Sequence, residues 1–311
     1  MTPVYSIVVP LYNEEEVIAE TYARLREVMD AQGEPYELIF VDDGSRDKTW
    51  EMAKALAESD VNLKLISFSR NFGHQIAITA GMDNASGQAV VVIDADLQDP
   101  PAVIPQMIAK WKEGYQVIYG KRLKRKGEGF FKKLTAKAFY RSLNAMTDVK
   151  LPVDTGDFRL IDRSVCDSLK SLPERNRYVR GLVSWVGYKQ AAVEYVREER
   201  FAGETKYPLR KMLKLASDAI TSFSYKPLKM STWLGTFVAI ISFIFLIAIV
   251  VQRLFFPGTV LMPGWASLAA ISLFFNGIVL IMLGIIGQYV GRIYDEAKGR
   301  PLYLIKETAN F

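Results

Sequence analysis

The chain has 311 residues, and its 39 lysines and arginines against 34 aspartates and glutamates give a modest net charge of +5. That charge argues against nucleic acid as a partner and suits anionic lipid or phosphorylated substrates better. Half of the residues are hydrophobic, and the single cysteine, Cys166, excludes an internal disulfide, which fits a reducing compartment.

Strand-like and helix-like segments alternate along the first 120 residues. Short apolar runs bounded by turn residues predict strands at 6–11, 37–41, 63–68, 90–93 and 117–119, with a further strand at 191–196. Segments of helical spacing lie between the first five. This alternation predicts an α/β fold built from βαβ units around a mostly parallel sheet.

Polar clusters follow the first, second and fourth predicted strands. Asn13 and Glu14 follow the first strand, Asp42 and Asp43 follow the second, and Asp94 begins the cluster after the fourth. Ligands bind outside the carboxyl ends of strands in open α/β sheets, so we expect the three ends to line one crevice. The sequence lacks the glycine-rich fingerprint of dinucleotide-binding folds, and it also lacks the P-loop motif of nucleoside triphosphatases.

The buried run Val90–Ile93 ends abruptly in Asp94-Ala95-Asp96. Two carboxylates at positions i and i+2 of extended backbone point to the same side. Such a pair can hold a hard divalent cation, which prefers oxygen ligands and neutralises phosphates. The sequence therefore predicts a metal and diphosphate site here, although an acidic turn without a ligand is the alternative.

Three further segments carry charges of interest. Residues 121–133 are strongly basic and lead into an amphipathic helix, which suits either an anionic membrane surface or ordinary core packing. Asp157 and Arg159 stand among apolar residues, either at a site or as an ion pair that braces a loop. The only histidine, His74, either contacts the site or packs at the start of a helix.

Two long uncharged segments predict a transmembrane hairpin. Residues 230–252 and 266–289 are each long enough to cross a bilayer. Basic residues flank the outer ends of this hairpin, whereas the connecting loop has only Arg253, so the positive-inside rule puts both termini in the cytoplasm. Gly284, Gly287 and Gly291 favour close helix contact, either within the hairpin or between subunits of a homo-oligomer.

Together these segments resemble the inverting family 2 glycosyltransferases of the GT-A fold, and most closely the polyprenyl-phosphate glycosyltransferases. Six motifs carry the resemblance, and they occur in the family's order. They are P-x-Y-N-E (10–14), V-D-D-G-S-x-D-x-T (41–49), D-A-D-L-Q (94–98), G-x-R (120–122), T-G-D-F-R-L (155–160) and R-x-x-G-x-[ST]-K-Y (200–207).

The resemblance implies a role for each motif residue. The nucleoside of a sugar nucleotide would be held by Pro10, Tyr12, Glu14, Val41 and Asp43. The diphosphate and a divalent metal, Mg²⁺ or Mn²⁺, would be held by Asp94, Ala95, Asp96 and Gln98, of which Asp94, Asp96 and Gln98 would be the metal ligands. The donor diphosphate and the acceptor phosphate would contact Arg122, Arg200 and Lys206. Asp157 would orient the sugar or the acceptor, or assist proton removal.

The resemblance also implies an organisation and a reaction. We expect a cytoplasmic GT-A domain at 1–206, an amphipathic juxtamembrane segment at 207–229, two transmembrane helices within 230–291 and a cytoplasmic tail at 292–311. The expected reaction is transfer of a sugar, with glucose as the best guess, from a UDP-sugar to undecaprenyl phosphate at the inner or plasma membrane. Asp157 makes mannose less suitable, because dolichyl-phosphate mannose synthases tend to carry a small polar residue there.

Two other functions compete with this expectation. A processive polysaccharide synthase shares the sheet and the metal aspartates, but it usually carries a Q-x-x-R-W motif, which this sequence lacks, and more spans. A protein that binds or translocates sugar-lipids without chemistry would not need the metal, nucleotide and basic motifs together.

Overall fold

A computed structural model describes residues 2–123, 155–172, 174–198, 224–255 and 265–311 of the chain. Of the segments predicted to be basic and amphipathic, 121–133 and 207–229, residues 124–133 and 207–223 lie outside the described residues. In chain order the elements are β1 (Tyr5–Leu11), α1 (Ile18–Asp30), β2 (Tyr36–Asp42), α2 (Thr49–Ser59), β3 (Leu63–Phe68), α3 (His74–Asn84), β4 (Ala89–Val92), a 3₁₀ turn (Pro101–Val103), α4 (Ile104–Lys112), β5 (Val117–Arg122), β6 (Thr155–Asp162), α5 (Arg163–Lys170), α6 (Val179–Trp185), β7 (Gln190–Tyr195), α7 (Lys226–Phe255), α8 (Trp265–Ala297) and β8 (Ile305–Ala309).

The described residues divide into two compact units. The α/β unit contains β1 to β7 with their helices and also residues 300–311, whereas the helical unit contains α7 and α8. The chain therefore leaves the α/β unit, forms two long helices and returns to the same unit.

The α/β unit is built on one eight-stranded sheet with the order β7-β5-β6-β4-β1-β2-β3-β8. Strand β1 pairs in parallel with β2 and β4, and β2 pairs in parallel with β3. These central strands are covered on both faces, which explains their continuous apolar sequences. The predicted α/β architecture is confirmed, and the three strand ends with polar clusters, those of β4, β1 and β2, are neighbours in the sheet.

The sheet is more mixed than the predicted alternation implied, because β6 was not anticipated. It lies between β4 and β5 and is antiparallel to both, with Arg159 opposite Val92 on one side and Tyr119 on the other. The charges of Asp157 and Arg159 obscure its pattern, since charged residues are seldom fully buried. Phe158 and Leu160 nevertheless point into the core and are completely buried.

The C-terminal residues form an element where we expected only a tail. Helix α8 continues to Ala297, and β8 then pairs antiparallel with β3 at the edge of the sheet, with Ala309 opposite Leu65. Lys54 Nζ lies 2.5 Å from Glu307 Oε1. The Asn310 side chain donates hydrogen bonds to carbonyl oxygens beside α2 and β3, which fixes the end of the chain.

Packing on the two faces of the sheet follows the alternation of β1. Ile7 and Val9 join a large cluster with residues of α1, α2 and α4. On the opposite face Val8 lies against Gly81 of α3, so closely that a β-carbon at that glycine would overlap Val8 Cγ1. Burying an aliphatic side chain of this kind stabilises the fold by about 1.5–3 kcal/mol.

Helices α7 and α8 are long and apolar enough to cross a membrane. They have 30 and 33 residues, so each is roughly 45–50 Å long at about 1.5 Å per residue. Hydrocarbon cores are about 30 Å thick. Span-like windows cover Lys226–Ile244 and Ile271–Ala297, with mean hydropathies of 1.4 and 2.0. Both predicted spans begin and end within these helices.

Candidate active site

The carboxyl ends of β4, β1 and β2 carry the acidic residues that the sequence singled out. Asp94 follows Ile93, whose N–H donates to Val8 O of β1 at 3.1 Å. The next residue, Ala95, is buried, and its carbonyl accepts a 2.7 Å hydrogen bond from Thr21 Oγ1 of α1. The loop that holds Asp94 and Asp96 is thus anchored to both the sheet and a helix.

The oxygens of this loop fit a divalent cation that also binds phosphate. Asp94 Oδ1 is buried and has no hydrogen-bond partner among the described residues. Asp96 Oδ1 accepts from Gln98 N at 3.1 Å, which curls the loop toward Asp94. Within the described ranges no group of three or more His, Cys, Asp or Glu residues is arranged to hold a metal ion. A cation here would therefore complete its shell with water and phosphate oxygens, as Mg²⁺ usually does.

Asp157, on β6, is the centre of a buried polar network. Its side chain is 6% exposed, and Arg180 of α6 donates to both carboxylate oxygens, at 2.7 and 2.9 Å. Gln75 Nε2 of α3 adds a contact of 3.3 Å. Burial disfavours the charged form of Asp157, but the charge and hydrogen bonds of Arg180 outweigh it and hold the pKa of this carboxyl well below its ordinary value.

The network corrects one interpretation of the sequence. Arg159 does not pair with the Asp157 carboxylate; instead it donates to the main-chain oxygens of Asp157 and Gly156, at 3.3 and 2.9 Å. Arg180, rather than Arg159, forms the ion pair that was one of the two alternatives for Asp157. Nothing in the local sequence marks Arg180, because it lies 23 residues beyond Asp157 on another element.

His74 connects this network to the acidic loop. As the first residue of α3 it places Nε2 3.3 Å from Asp157 Oδ2 and 3.4 Å from Asp94 Oδ1. Burial lowers the pKa of His74, but the hydrogen bond to Asp157 and the charges of both aspartates outweigh it and raise the pKa to about 9. The sequence left two roles open for His74. In the structure it has both, because it is the first residue of α3 and it also contacts the site residues Asp94 and Asp157.

A second cluster surrounds Asp99, five residues beyond Asp94. Asp99 is fully buried and accepts hydrogen bonds from Tyr195 Oη and, at 3.0 Å, from Arg122 Nη2. Arg122 Nε also donates to Tyr195 Oη at 3.2 Å. Arg122, which the sequence assigned to phosphate binding, is therefore held beside the acidic loop by a buried carboxylate. The sequence gave no role to Asp99 or Tyr195.

The residues expected to hold a nucleoside lie at the ends of β1 and β2. Pro10 and Val41 are register partners and are buried, whereas Tyr12 is 37% exposed. Glu14 N donates to Thr49 Oγ1 at 2.8 Å, which fixes the start of the segment before α1.

Asp43 stabilises the turn before α3 through hydrogen bonds to main-chain N–H groups. Its oxygens accept hydrogen bonds from Phe72 N, at 2.6 Å, and from Gly73 N, at 2.9 Å. These bonds hold the turn that leads into α3 and thereby place His74. Burial raises the pKa of Asp43, although the two N–H groups act in the opposite direction.

The two remaining predicted site residues, Arg200 and Lys206, lie outside the described residues, which resume at 224 after residue 198. The described site thus brings together two of its predicted parts, the acidic loop of Asp94 and Asp96 and the side chain of Arg122, whose roles in metal and phosphate binding stay predictions. Charged groups at the carboxyl ends of the strands of a Rossmann-like sheet are typical of enzymes that bind anionic ligands such as nucleotides there.

Comparison with known proteins identifies the family within that class. The family model described as glycosyl transferase family 2 matches residues 6–170. The chain belongs to glycosyltransferase family 2 and is a glycosyltransferase of the GT-A fold.

Similarity to curated relatives extends over nearly the whole chain. The chain is 61% identical to the uncharacterized glycosyltransferase YkcC of Bacillus subtilis, over 98% of this chain and 94% of the relative. It is 45% identical to the bactoprenol glucosyl transferase of Shigella phage SfII, over 97% of both chains. A solved structure, glucosyl-3-phosphoglycerate synthase of Mycobacterium tuberculosis with uridine diphosphate, is 21% identical and aligns with a TM-score of 0.48 over 70% of this chain and 78% of that one.

Proposed function

We propose that this glycosyltransferase transfers glucose from UDP-glucose to the phosphate of undecaprenyl phosphate, with inversion at the anomeric carbon. One observation carries the proposal. The similarity to bactoprenol glucosyl transferases extends over 97% of both chains, and so includes the two span-length helices as well as the catalytic domain. A lipid acceptor accounts for those helices, which a soluble acceptor would not require.

The acidic loop is suited to the leaving group. We propose that Asp94, Asp96 and Gln98 hold Mg²⁺ or Mn²⁺ together with the donor diphosphate, because Asp94 Oδ1 is buried without a hydrogen-bond partner among the described residues. The cation would supply charge stabilisation to the departing diphosphate. Pro10, Tyr12, Glu14, Val41 and Asp43 would bind the nucleoside from the neighbouring strand ends.

The reaction needs little proton transfer. A phosphate oxygen of the acceptor forms a bond to the anomeric carbon, and the bond from that carbon to the β-phosphate of the donor breaks, so that UDP leaves with the bonding electrons. The acceptor oxygen is already an anion near neutral pH, so no strong base is required. The main barrier is to bring two polyanions together in the correct orientation.

The remaining site residues would lower the barrier to bringing the two polyanions together. We propose that Arg122, Arg200 and Lys206 screen the two phosphates from each other and orient the acceptor. Asp157 is fully engaged by Arg180, Gln75 and His74, so we favour an orienting role for it over proton removal. Its network would hold His74 in place beside Asp94.

The topology of the chain supports one orientation in the membrane. Strand β8 and strands β1 to β7 belong to one sheet, so the chain must cross the membrane an even number of times between them. Basic residues flank the outer ends of the hairpin at Lys226 and Lys229 and at Arg292 and Lys298. We therefore propose that the α/β unit lies on the cytoplasmic face of the cell membrane.

The test is transfer by the purified full-length protein in detergent. Radiolabelled UDP-glucose, Mn²⁺ and undecaprenyl phosphate should give a lipid product that carries one sugar, with release of one UDP for each sugar transferred. UDP-N-acetylglucosamine, UDP-galactose and GDP-mannose serve as competing donors, and Asp96→Asn serves as the inactive control. A polymeric product would indicate a processive synthase, and UDP release that does not depend on the lipid would refute the proposed acceptor.

A further inference from the structure

Arg197 lies two residues beyond the end of β7, and main-chain hydrogen bonds fix the chain on either side of it. On one side Leu123 N donates to Tyr195 O at 2.8 Å, which continues the pairing of β5 with β7. On the other side Glu198 N donates to Gln98 O at 3.0 Å. The backbone therefore presents the Arg197 side chain at the edge where Asp96 and Arg122 also lie.

The Arg197 guanidinium has a buried donor that the surrounding protein does not satisfy. Its Nε is buried and has no hydrogen-bond partner in the part of the chain that the structure describes. The nearest carboxylate oxygen, Asp99 Oδ1, is 3.6 Å away, beyond hydrogen-bonding distance. That oxygen already accepts from Tyr195 Oη, and the other oxygen of Asp99 accepts from Arg122. Both oxygens of Asp99 thus have hydrogen-bond donors already, and Arg197 forms only a longer ion pair with this carboxylate.

The positively charged side chains at this edge favour the binding of an anion. Two guanidinium groups, of Arg122 and Arg197, face the single carboxylate of Asp99. Burial, followed by the positive charge of Arg122, lowers the pKa of Arg197 below its ordinary value, although Asp99 and Asp96 act in the opposite direction. The side chain remains 30% exposed, so a ligand in the crevice can reach it.

We propose that Arg197 binds a phosphate oxygen of a substrate, with Nε as one donor, beside the site of Arg122. A guanidinium presents several N–H donors in a plane and so matches the oxygens of a phosphate. This inference rests on the proposed function, which brings two phosphate-bearing substrates to the same crevice. The phosphate belongs either to the diphosphate of the donor or to the lipid acceptor.

Binding titrations on the full-length protein in detergent test this contact without turnover. UDP with Mn²⁺ and, separately, undecaprenyl phosphate in micelles are titrated into the wild type, Arg197→Gln and Arg197→Lys. Loss of a charged hydrogen bond should raise the dissociation constant of one of the two ligands by about 10- to 100-fold in Arg197→Gln. Arg197→Lys keeps the charge but loses the planar set of donors, so its effect should be smaller.

Lys189→Gln is the matched control, because it removes a positive charge just before the opposite end of β7, where Lys189 Nζ lies over the ring of Tyr115. It should leave both dissociation constants unchanged. The melting temperature of every variant is measured alongside. If Arg197→Gln does not fold, Arg197→Lys, which retains a cation beside Asp99, provides the comparison.

The two arms identify the source of the phosphate. Weaker UDP binding assigns Arg197 to the donor diphosphate, and weaker binding of undecaprenyl phosphate assigns it to the acceptor. Wild-type affinity for both ligands in a folded Arg197 variant would overturn the inference. A wild-type protein that binds both ligands and transfers no sugar would instead refute the proposed function, since the Arg197 contact is measured by binding alone.

Discussion

Removing Arg180 should expose the energetic cost of the buried network around Asp157. In Arg180→Met the carboxylate, which is 6% exposed, loses two hydrogen bonds of 2.7 and 2.9 Å. Only the contacts from His74 and Gln75, each 3.3 Å long, remain among those the structure gives to its side chain. A buried charge that loses its main partner is strongly unfavourable.

The expected loss of stability in Arg180→Met follows from measurements on other buried ion pairs. Breaking a buried ion pair by removing one partner costs about 3–5 kcal/mol. In domains of about 150–250 residues each kcal/mol lowers the melting temperature by about 2–4 °C, so Arg180→Met should melt about 6–20 °C below the wild type. The double variant Asp157→Leu with Arg180→Met removes both charges of this ion pair, so that neither is left buried without the other, and it should recover part of this loss.

The dependence on pH follows from the lowered pKa of Asp157. A carboxyl whose pKa is lower in the folded than in the unfolded state contributes stability that is complete above its unfolded pKa, about 3.9. This contribution is lost as the pH falls through the folded pKa. The difference in melting temperature between the wild type and Arg180→Met should therefore be largest at neutral pH and should shrink on acidification.

Thermal unfolding of the full-length protein in detergent, followed by tryptophan fluorescence, measures these differences. Arg26→Met is the matched control, because Arg26 pairs with Asp30 on the surface, where both side chains are more than half exposed. Exposed pairs of this kind contribute little to stability, so Arg26→Met should melt close to the wild type. The reasoning is refuted if Arg180→Met melts with the wild type, or if the double variant is as unstable as the single one.

Three further substitutions test other parts of the structure. Asp94→Asn should lower transfer at least about 100-fold, because the proposed metal would supply several kcal/mol of charge stabilisation. Its melting temperature should change little, since Asp94 Oδ1 is buried without a hydrogen bond among the described residues and the substitution removes only its 3.4 Å ion pair with His74. Gly81→Ala should destabilise the fold by about 1–3 kcal/mol through overlap with Val8, and Val8→Ala in the same chain should relieve it. Asn310→Gly keeps the positive φ of 60° but removes three hydrogen bonds to main-chain oxygens, so it should cost about 1–3 kcal/mol.

For each of these three predictions, one specific result would contradict the reasoning. Transfer assays in which Asp94→Asn turns over like the wild type would exclude its role as a metal ligand. A double variant with Val8→Ala that is less stable than Gly81→Ala alone would show that overlap is not the cause. A melting temperature of Asn310→Gly equal to that of the wild type would mean that the side chain of Asn310 does not stabilise the end of the chain.

Local patterns determined a large part of this protein. The apolar runs that became β1 to β4 are recognisable because strands covered on both faces must be apolar throughout. The acidic ends of β1, β2 and β4 were predicted to meet, and the strand order makes them neighbours. The two long helices were predictable for a similar reason, since the absence of charge over a membrane's thickness is a property of one continuous segment.

Only the tertiary structure decided which distant residues meet at the site. Arg180 reaches Asp157 from another helix, and Tyr195 and Arg122 reach Asp99 from two parallel strands. Strands β6 and β8 were also missed, since charges interrupt the apolar pattern of β6 and an edge strand buries few side chains. The burial of a strand or helix can be predicted from the pattern of neighbouring residues in the sequence. The pairing of buried charges, in contrast, depends on contacts between distant segments that only the folded chain brings together.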